Sequence, residues 1–181
     1  MIREFRKFVG FKVLEFFITY PSVVVHLKEL SRKIGISPGS AKTYCDIFER
    51  DGILRAKRKG NLRMITLNNS DFAVRELKKA YYAVLLKELG IEKIAENCTS
   101  LAIYGSFASG NFDEKSDLDI LIIGEERNVN KDFVLELQEK LGREIQLTVM
   151  PYYIWEKMKR EGDKFTESVL RNYILIKGAE L

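Results

Sequence analysis

Histidine, cysteine and long apolar runs are scarce in this chain, and each scarcity closes off a class of chemistry. His26 is the single histidine, which removes histidine-based catalytic triads and most imidazole metal sites. Cys45 and Cys98 stand far apart with no Cys-x-x-Cys motif or histidine cluster nearby, so neither a disulfide framework nor a zinc site is indicated. No stretch approaches the roughly 20 uninterrupted apolar residues of a membrane helix. Glu4 close behind Arg3 does not fit a signal peptide. The expectation is a soluble, cytoplasmic protein with no membrane partner. Internal repeats and low-complexity tracts are also missing. What is plentiful is apolar content, 46% of 181 residues, enough to fill the cores of two small domains.

The stretch around which the rest is organised is residues 101–123. Leu101 to Tyr104 is a short apolar run stopped by Gly105, too short for a helix and therefore read as a buried strand. Gly105-Ser106 turns the chain, and Phe107, Ala108 and Ser109 form a brief helical turn before Gly110 and Asn111 break it. Ser106 thus sits where a helix start offers free N–H groups, a seat for phosphate. A polar loop then leads into Asp117-Leu118-Asp119 and the branched run Ile120 to Ile123, a strand buried on both faces. Strand alternation puts Asp117 and Asp119 on one face, roughly 7 Å apart, with Leu118 turned into the core. Mg²⁺ favours carboxylates combined with substrate phosphates, so this pair opposite a Gly-Ser seat suits a metal-bound nucleoside triphosphate and transfer of a nucleotidyl group.

These residues resemble the DNA polymerase beta-like nucleotidyltransferase superfamily, its minimal branch above all. That branch's signature is Gly-Ser, ten residues, then Asp-x-Asp, and here Gly105-Ser106 is followed by residues 107–116 and then Asp117-Leu118-Asp119. The resemblance covers residues 90–181. It implies that Asp117 and Asp119 are catalytic and bind Mg²⁺ or Mn²⁺. It implies also that Gly105 and Ser106 bind the β- and γ-phosphates of ATP or another triphosphate. Proteins of the minimal branch often serve as antitoxin partners of a HEPN-type protein, to which they add AMP. The resemblance further implies a third carboxylate on a later strand, here residues 143–150, where Gln146 holds the expected place. Either Glu144 reaches in instead or the site has two acidic ligands.

Charge is unevenly spread. Residues 1–70 carry fourteen Lys and Arg against six Asp and Glu, a net +8, and the remainder is net −4, which suggests a polyanion partner for the first part. There, Phe5, Phe8, Val9, Val13, Phe16, Phe17 and Tyr20 recur at three and four, an amphipathic helix ending before Pro21. A short strand at 23–25 and a second helix at 27–34 follow, closed by Gly35. Ser37 caps and Pro38 opens a third helix to Arg50, burying Ala41, Tyr44 and Ile47 or Phe48. Residues 53–58 and 62–67 form a hairpin through Lys59-Gly60-Asn61. Three helices and a basic hairpin resemble the winged helix-turn-helix of transcription regulators. By that resemblance Ser37, Ser40, Lys42 and Thr43 meet the major groove, and Arg55, Lys57, Arg58, Lys59 and Arg63 hold the DNA backbone. Asp46 and Glu49 would repel DNA, which places them on the flank.

Asn68-Asn69-Ser70 marks a boundary, with Ser70 capping a helix over 71–89. Its wide apolar band, from Phe72 to Leu89, suits a rigid link between domains or pairing with a second copy as a homodimer. Helices over 129–141, from 151 and over 165–173, with strands at 143–150 and 174–176, complete a small mixed sheet. The expected fold class is α+β: residues 1–69 a winged helix-turn-helix, 70–90 a connecting helix, and 91–181 a nucleotidyltransferase-like mixed sheet with flanking helices. Two functions follow from these expectations. One is a Mg²⁺-dependent nucleotidyltransferase targeted or regulated through DNA. The other is a transcriptional regulator whose second domain senses a nucleotide or dimerises without turnover.

Overall fold

The computed structural model describes residues 1–181, and the chain divides inside a long helix into two units, Met1–Val84 and Leu85–Leu181. In the first unit the elements run α1 (Ile2–Phe5), α2 (Val9–Thr19), β1 (Val25–His26), α3 (Leu27–Ile34), α4 (Pro38–Arg50), β2 (Leu54–Lys59), β3 (Leu62–Leu67) and the start of α5 (Phe72–Leu89). Val13, Phe17, Leu30, Ala41, Cys45, Leu54 and Ile65 are buried together at its centre.

The single helix expected over residues 5–20 is broken. Phe8 has extended backbone, and Phe5 and Phe8 are 42% and 65% exposed rather than buried. Gly10 lies just inside the helix that restarts after the break. A Cβ there would lie 2.7 Å from the Tyr44 ring, so glycine is needed where α2 approaches α4, and glycine is a poor helix former near a helix start. The break also lets Arg6 turn back onto Glu15, 2.8 Å away.

Side chains at the helix ends explain where the next elements begin. The Nδ1 of His26 accepts the Glu29 N–H at the start of α3, and Gly35, at φ 66°, ends that helix in the left-handed region. Ser37 Oγ accepts the Ser40 N–H at 3.0 Å and Pro38 fills the first turn of α4. This helix buries Ala41 and Cys45 fully, while Tyr44, Ile47 and Phe48 are only partly covered. The strand expected at 23–25 is shorter and later, with Val25 and His26 pairing with Ile65 and Met64. The hairpin closes through a two-residue turn, Lys59 opposite Leu62, with Gly60 at φ 59°. At the start of α5 the cap is Asp71 rather than Ser70: Asp71 Oδ1 accepts the Ala73 N–H at 2.8 Å, whereas the Ser70 hydroxyl donates to Asn68 Oδ1.

The second unit contains β4 (Cys98–Ile103), α6 (Gly105–Ser109), β5 (Leu118–Gly124), α7 (Lys131–Leu141), β6 (Ile145–Met150), α8 (Tyr152–Glu161), α9 (Lys164–Arg171) and β7 (Ile174–Gly178). These strands form a mixed sheet in the order β6-β5-β4-β7. β4 is antiparallel to both of its neighbours, and β6 lies parallel to β5 after the α7 crossover. The result is a mixed α+β architecture with two sheets. Alternation along β5 sends Leu121 and Ile123 against Trp155 and Val169, and Ile120 and Ile122, equally buried, to the opposite face. No helix is long and apolar enough to cross a membrane.

Candidate functional site

Sheet topology decides which residues meet. Because β4 runs antiparallel to β5 and β6 runs parallel to it, the C-terminal end of β4 and the N-terminal ends of β5 and β6 lie at one end of the sheet. Gly105-Ser106, Asp117, Asp119 and Gln146 are therefore gathered there. Tyr104 N–H donates to the Asp119 carbonyl at 3.0 Å, which locks the turn beside the second aspartate.

Gly105 is required at this corner for two independent reasons. Its φ of 68° lies in the left-handed region, and a Cβ on it would collide with the Asp119 carboxylate. The backbone of the Gly-Ser turn thus lies directly against that carboxylate. Gly105 and Ser106 are the first two residues of α6, where N–H groups have no partner within the helix. Asp119 is half-buried, and its carboxyl is pushed above the usual range, first by burial and then by the charge on Asp117. No cation contributes to that shift. Two hard oxygen donors on neighbouring positions fit a divalent cation, which would relieve the burial of Asp119 and the repulsion it feels from Asp117. No group of three His, Cys, Asp or Glu side chains forms, so the donors here are the two aspartates.

Gln146 is the register partner of Asp119 across the parallel pair, and its Nε2 lies 3.5 Å from Asp117 Oδ2. Glu144 precedes β6, is exposed, and offers its backbone carbonyl to the Leu118 N–H at 2.9 Å. Behind the site, on the same face, the Tyr104 and Thr148 hydroxyls are 2.9 Å apart and Phe165 stacks edge-on against Tyr104.

One residue that reasoning from sequence overlooked holds the loop before Asp117. Arg143 donates from one guanidinium nitrogen to the carbonyls of Asp113 and Ser116, at 2.6 and 3.1 Å. Its guanidinium also lies 5.3 and 5.8 Å from the centres of the Phe107 and Phe112 rings, which stack on each other 4.3 Å apart. Within the loop the Ser116 hydroxyl donates to Asp113 Oδ1 and accepts the Asp113 N–H, and the Lys115 N–H reaches the same carboxylate. These bonds hold the Asp113 carboxyl below its usual range. The Asp113-to-Ser116 spacing is a visible turn signal. Nothing local to Arg143 distinguishes it from any cation before a strand.

In the first unit the polar residues expected to face DNA occupy the start of α4 and the hairpin. Ser37 also donates to the Ser40 hydroxyl, Thr43 Oγ1 donates to the Gly39 carbonyl, and Lys42 pairs with Asp46 at 2.8 Å. Arg63 forms ion pairs with Asp46 and Glu49, which ties β3 to α4. The Lys42 hydrogen bond first, and then that from Arg63, hold the Asp46 carboxyl low. Arg55 donates to Ser70 Oγ at 2.8 Å. Arg55, Lys57 and Lys59 share one face of β2, Arg58 takes the other opposite Arg63, and Lys57, Arg58 and Lys59 are exposed.

Comparison with known proteins bears on the second unit. The family model described as nucleotidyltransferase domain matches residues 85–176. No curated protein matches the chain. A solved structure described as a possible transcriptional regulator from Methanosarcina mazei Go1 is 13% identical over 50% of this chain and 81% of its own, with a TM-score of 0.36. At that score the likeness carries no argument.

Proposed function

The chain belongs to the nucleotidyltransferase domain family through residues 85–176, and on that membership we propose that it transfers a nucleoside monophosphate from ATP or another nucleoside triphosphate to an acceptor hydroxyl. The observation that carries the proposal is the half-buried Asp117–Asp119 pair facing the Gly105-Ser106 turn. When bound with the triphosphate, Mg²⁺ or Mn²⁺ supplies charge neutralisation and Lewis acidity. Asp117 and Asp119 hold that ion from the protein side. The N–H groups at Gly105 and Ser106, with the serine hydroxyl, bind the β- and γ-phosphate oxygens and keep the pyrophosphate aligned for departure. The acceptor oxygen forms a bond to the α-phosphorus as the bond to the bridging oxygen of pyrophosphate breaks, and the hydroxyl proton passes to solvent. Arg143 acts at a distance by fixing the loop that ends at Asp117.

The first unit supplies a second activity in this proposal, binding of DNA by a winged helix-turn-helix. Its support is a helix whose Ser37, Lys42 and Thr43 are exposed, followed by a hairpin with Lys57, Arg58 and Lys59 free to reach phosphates. The internal pairing of Arg63 with Asp46 and Glu49 moves that residue from backbone contact to a brace between hairpin and helix. The pairing also neutralises the two acids that would repel DNA.

Incubation with Mg²⁺, α-labelled triphosphates and cellular protein and RNA, beside an Asp117→Asn, Asp119→Asn variant, tests the enzyme. Label transfer confined to the native chain is expected. Equal background in both proteins would instead favour a DNA-binding regulator without turnover, a reading supported by the neutral Gln146 beside the aspartates.

A further inference from the structure

Gln146 is neither a buried packing residue nor a strand end pointing away. It is exposed, it shares a face with Asp119 through the parallel register, and its amide nitrogen is directed at Asp117. A glutamine amide has no charge at any accessible pH, so it offers a cation at most one neutral oxygen, and its NH₂ end repels a cation. Two divalent ions about 3.5 to 4 Å apart need carboxylates both to bridge them and to hold each one separately. Asp117 and Asp119 provide four oxygens, and no third His, Cys, Asp or Glu joins them. Glu144 precedes the strand and is exposed, with its backbone carbonyl accepting the Leu118 N–H, and its carboxylate does not join the pair in a group of three. That donor set suffices for one hexacoordinate ion completed by waters and phosphate, and is too small for two.

Resting on the metal reading given above, we propose that Gln146 makes this a single-cation site. It is a positioning residue that steadies Asp117 by a weak hydrogen bond and leaves a second ion without an anionic ligand. The second consequence is that the acceptor hydroxyl meets no carboxylate at that position. Its proton leaves to water, and Gln146 Oε1 can accept a hydrogen bond from the hydroxyl without taking the proton.

The test counts Mn²⁺ on the full chain without nucleotide, by electron paramagnetic resonance of the free ion and by calorimetry. The Asp117→Asn, Asp119→Asn variant is subtracted to remove surface binding. One Mn²⁺ is expected on the native chain. Gln146→Asp, or Gln146→Glu if the shorter side chain fails to fold, should bind two, because it adds a carboxylate in register with Asp119. Gln146→Ala should keep one ion, bound about tenfold more weakly, as loss of a residue that orients a metal ligand commonly does. Two ions on the native chain would overturn the proposal. So would a single ion on both carboxylate variants, or unchanged affinity in the alanine variant. A native chain that binds no more Mn²⁺ than the double-asparagine control would instead defeat the metal reading on which the proposal rests.

Discussion

At the scale of single residues, Gly105 and Asp119 form one unit, because the missing side chain of the first makes room for the carboxylate of the second. Gly105→Ala should therefore cost about 1–3 kcal/mol from backbone strain alone. It should also push Asp119 from its place, so that cation binding is lost even where thermal unfolding shows a folded protein. Asp119 itself gives a pH-dependent prediction. Its carboxyl titrates above the usual range in the folded chain, so between the unfolded and folded values the native state keeps a proton that the unfolded state has lost. Stability contributed at this position thus falls as pH rises through that window, and the cost is complete above it. Asp119→Asn should raise the melting temperature of metal-free protein at neutral pH, and the advantage should vanish as the pH drops below the ordinary carboxylate range. That both aspartates and the Gly-Ser turn come together was legible in sequence because their placement follows from spacing along the chain and strand alternation. The role of Arg143 was not, because its partners, the carbonyls of residues 113 and 116 and the rings of Phe107 and Phe112, are some thirty residues away.

Elements succeed or fail here according to whether their ends are signalled locally. The helix at residues 27–34, the Ser37 cap with Pro38, and the turn at Gly60 were readable, since each terminus is made by adjacent residues. The first helix was misread because its break falls at residues 6–8, where apolar residues at helical spacing continue through Phe5, Phe8 and Val9 although Phe8 has extended backbone. The loop 111–116 and the hairpin 54–67 are the elements whose behaviour can be tested. Arg143→Ala removes two hydrogen bonds and a guanidinium–ring contact, and should destabilise the protein by about 1–3 kcal/mol in denaturant titrations. Arg143→Lys should recover only part of the loss, because an ammonium can donate to two carbonyls but has no planar face to lay near the Phe107 and Phe112 rings. On the hairpin, Arg58→Ala with Lys59→Ala should flatten the dependence of DNA affinity on salt by about two units of slope. Arg63→Ala should leave the slope nearly unchanged while loosening the hairpin, since that guanidinium is already paired with Asp46 and Glu49. An equal drop in slope in both variants would put Arg63 back on phosphate.

On the scale of the whole chain, charge and chemistry divide together. Met1–Val84 holds seventeen Lys and Arg against eight Asp and Glu, net +9, while Leu85–Leu181 holds thirteen against eighteen, net −5. On the proposed reading a polyanion would be drawn to the first unit and a cation to the second. Raising ionic strength should accordingly weaken retention on DNA steeply, while changing nucleotide binding at the half-buried aspartates far less. The account depends most directly on one binding event, the capture of a Mg²⁺-bound triphosphate by Asp117 and Asp119 against the Gly105-Ser106 turn. Calorimetric titration of the native chain with a non-hydrolysable ATP analogue, with and without Mg²⁺, measures it. The account predicts binding that needs Mg²⁺ and disappears in Asp117→Asn, Asp119→Asn protein that still unfolds cooperatively. Binding of equal strength in the variant, or by the native chain without any divalent ion, would contradict it.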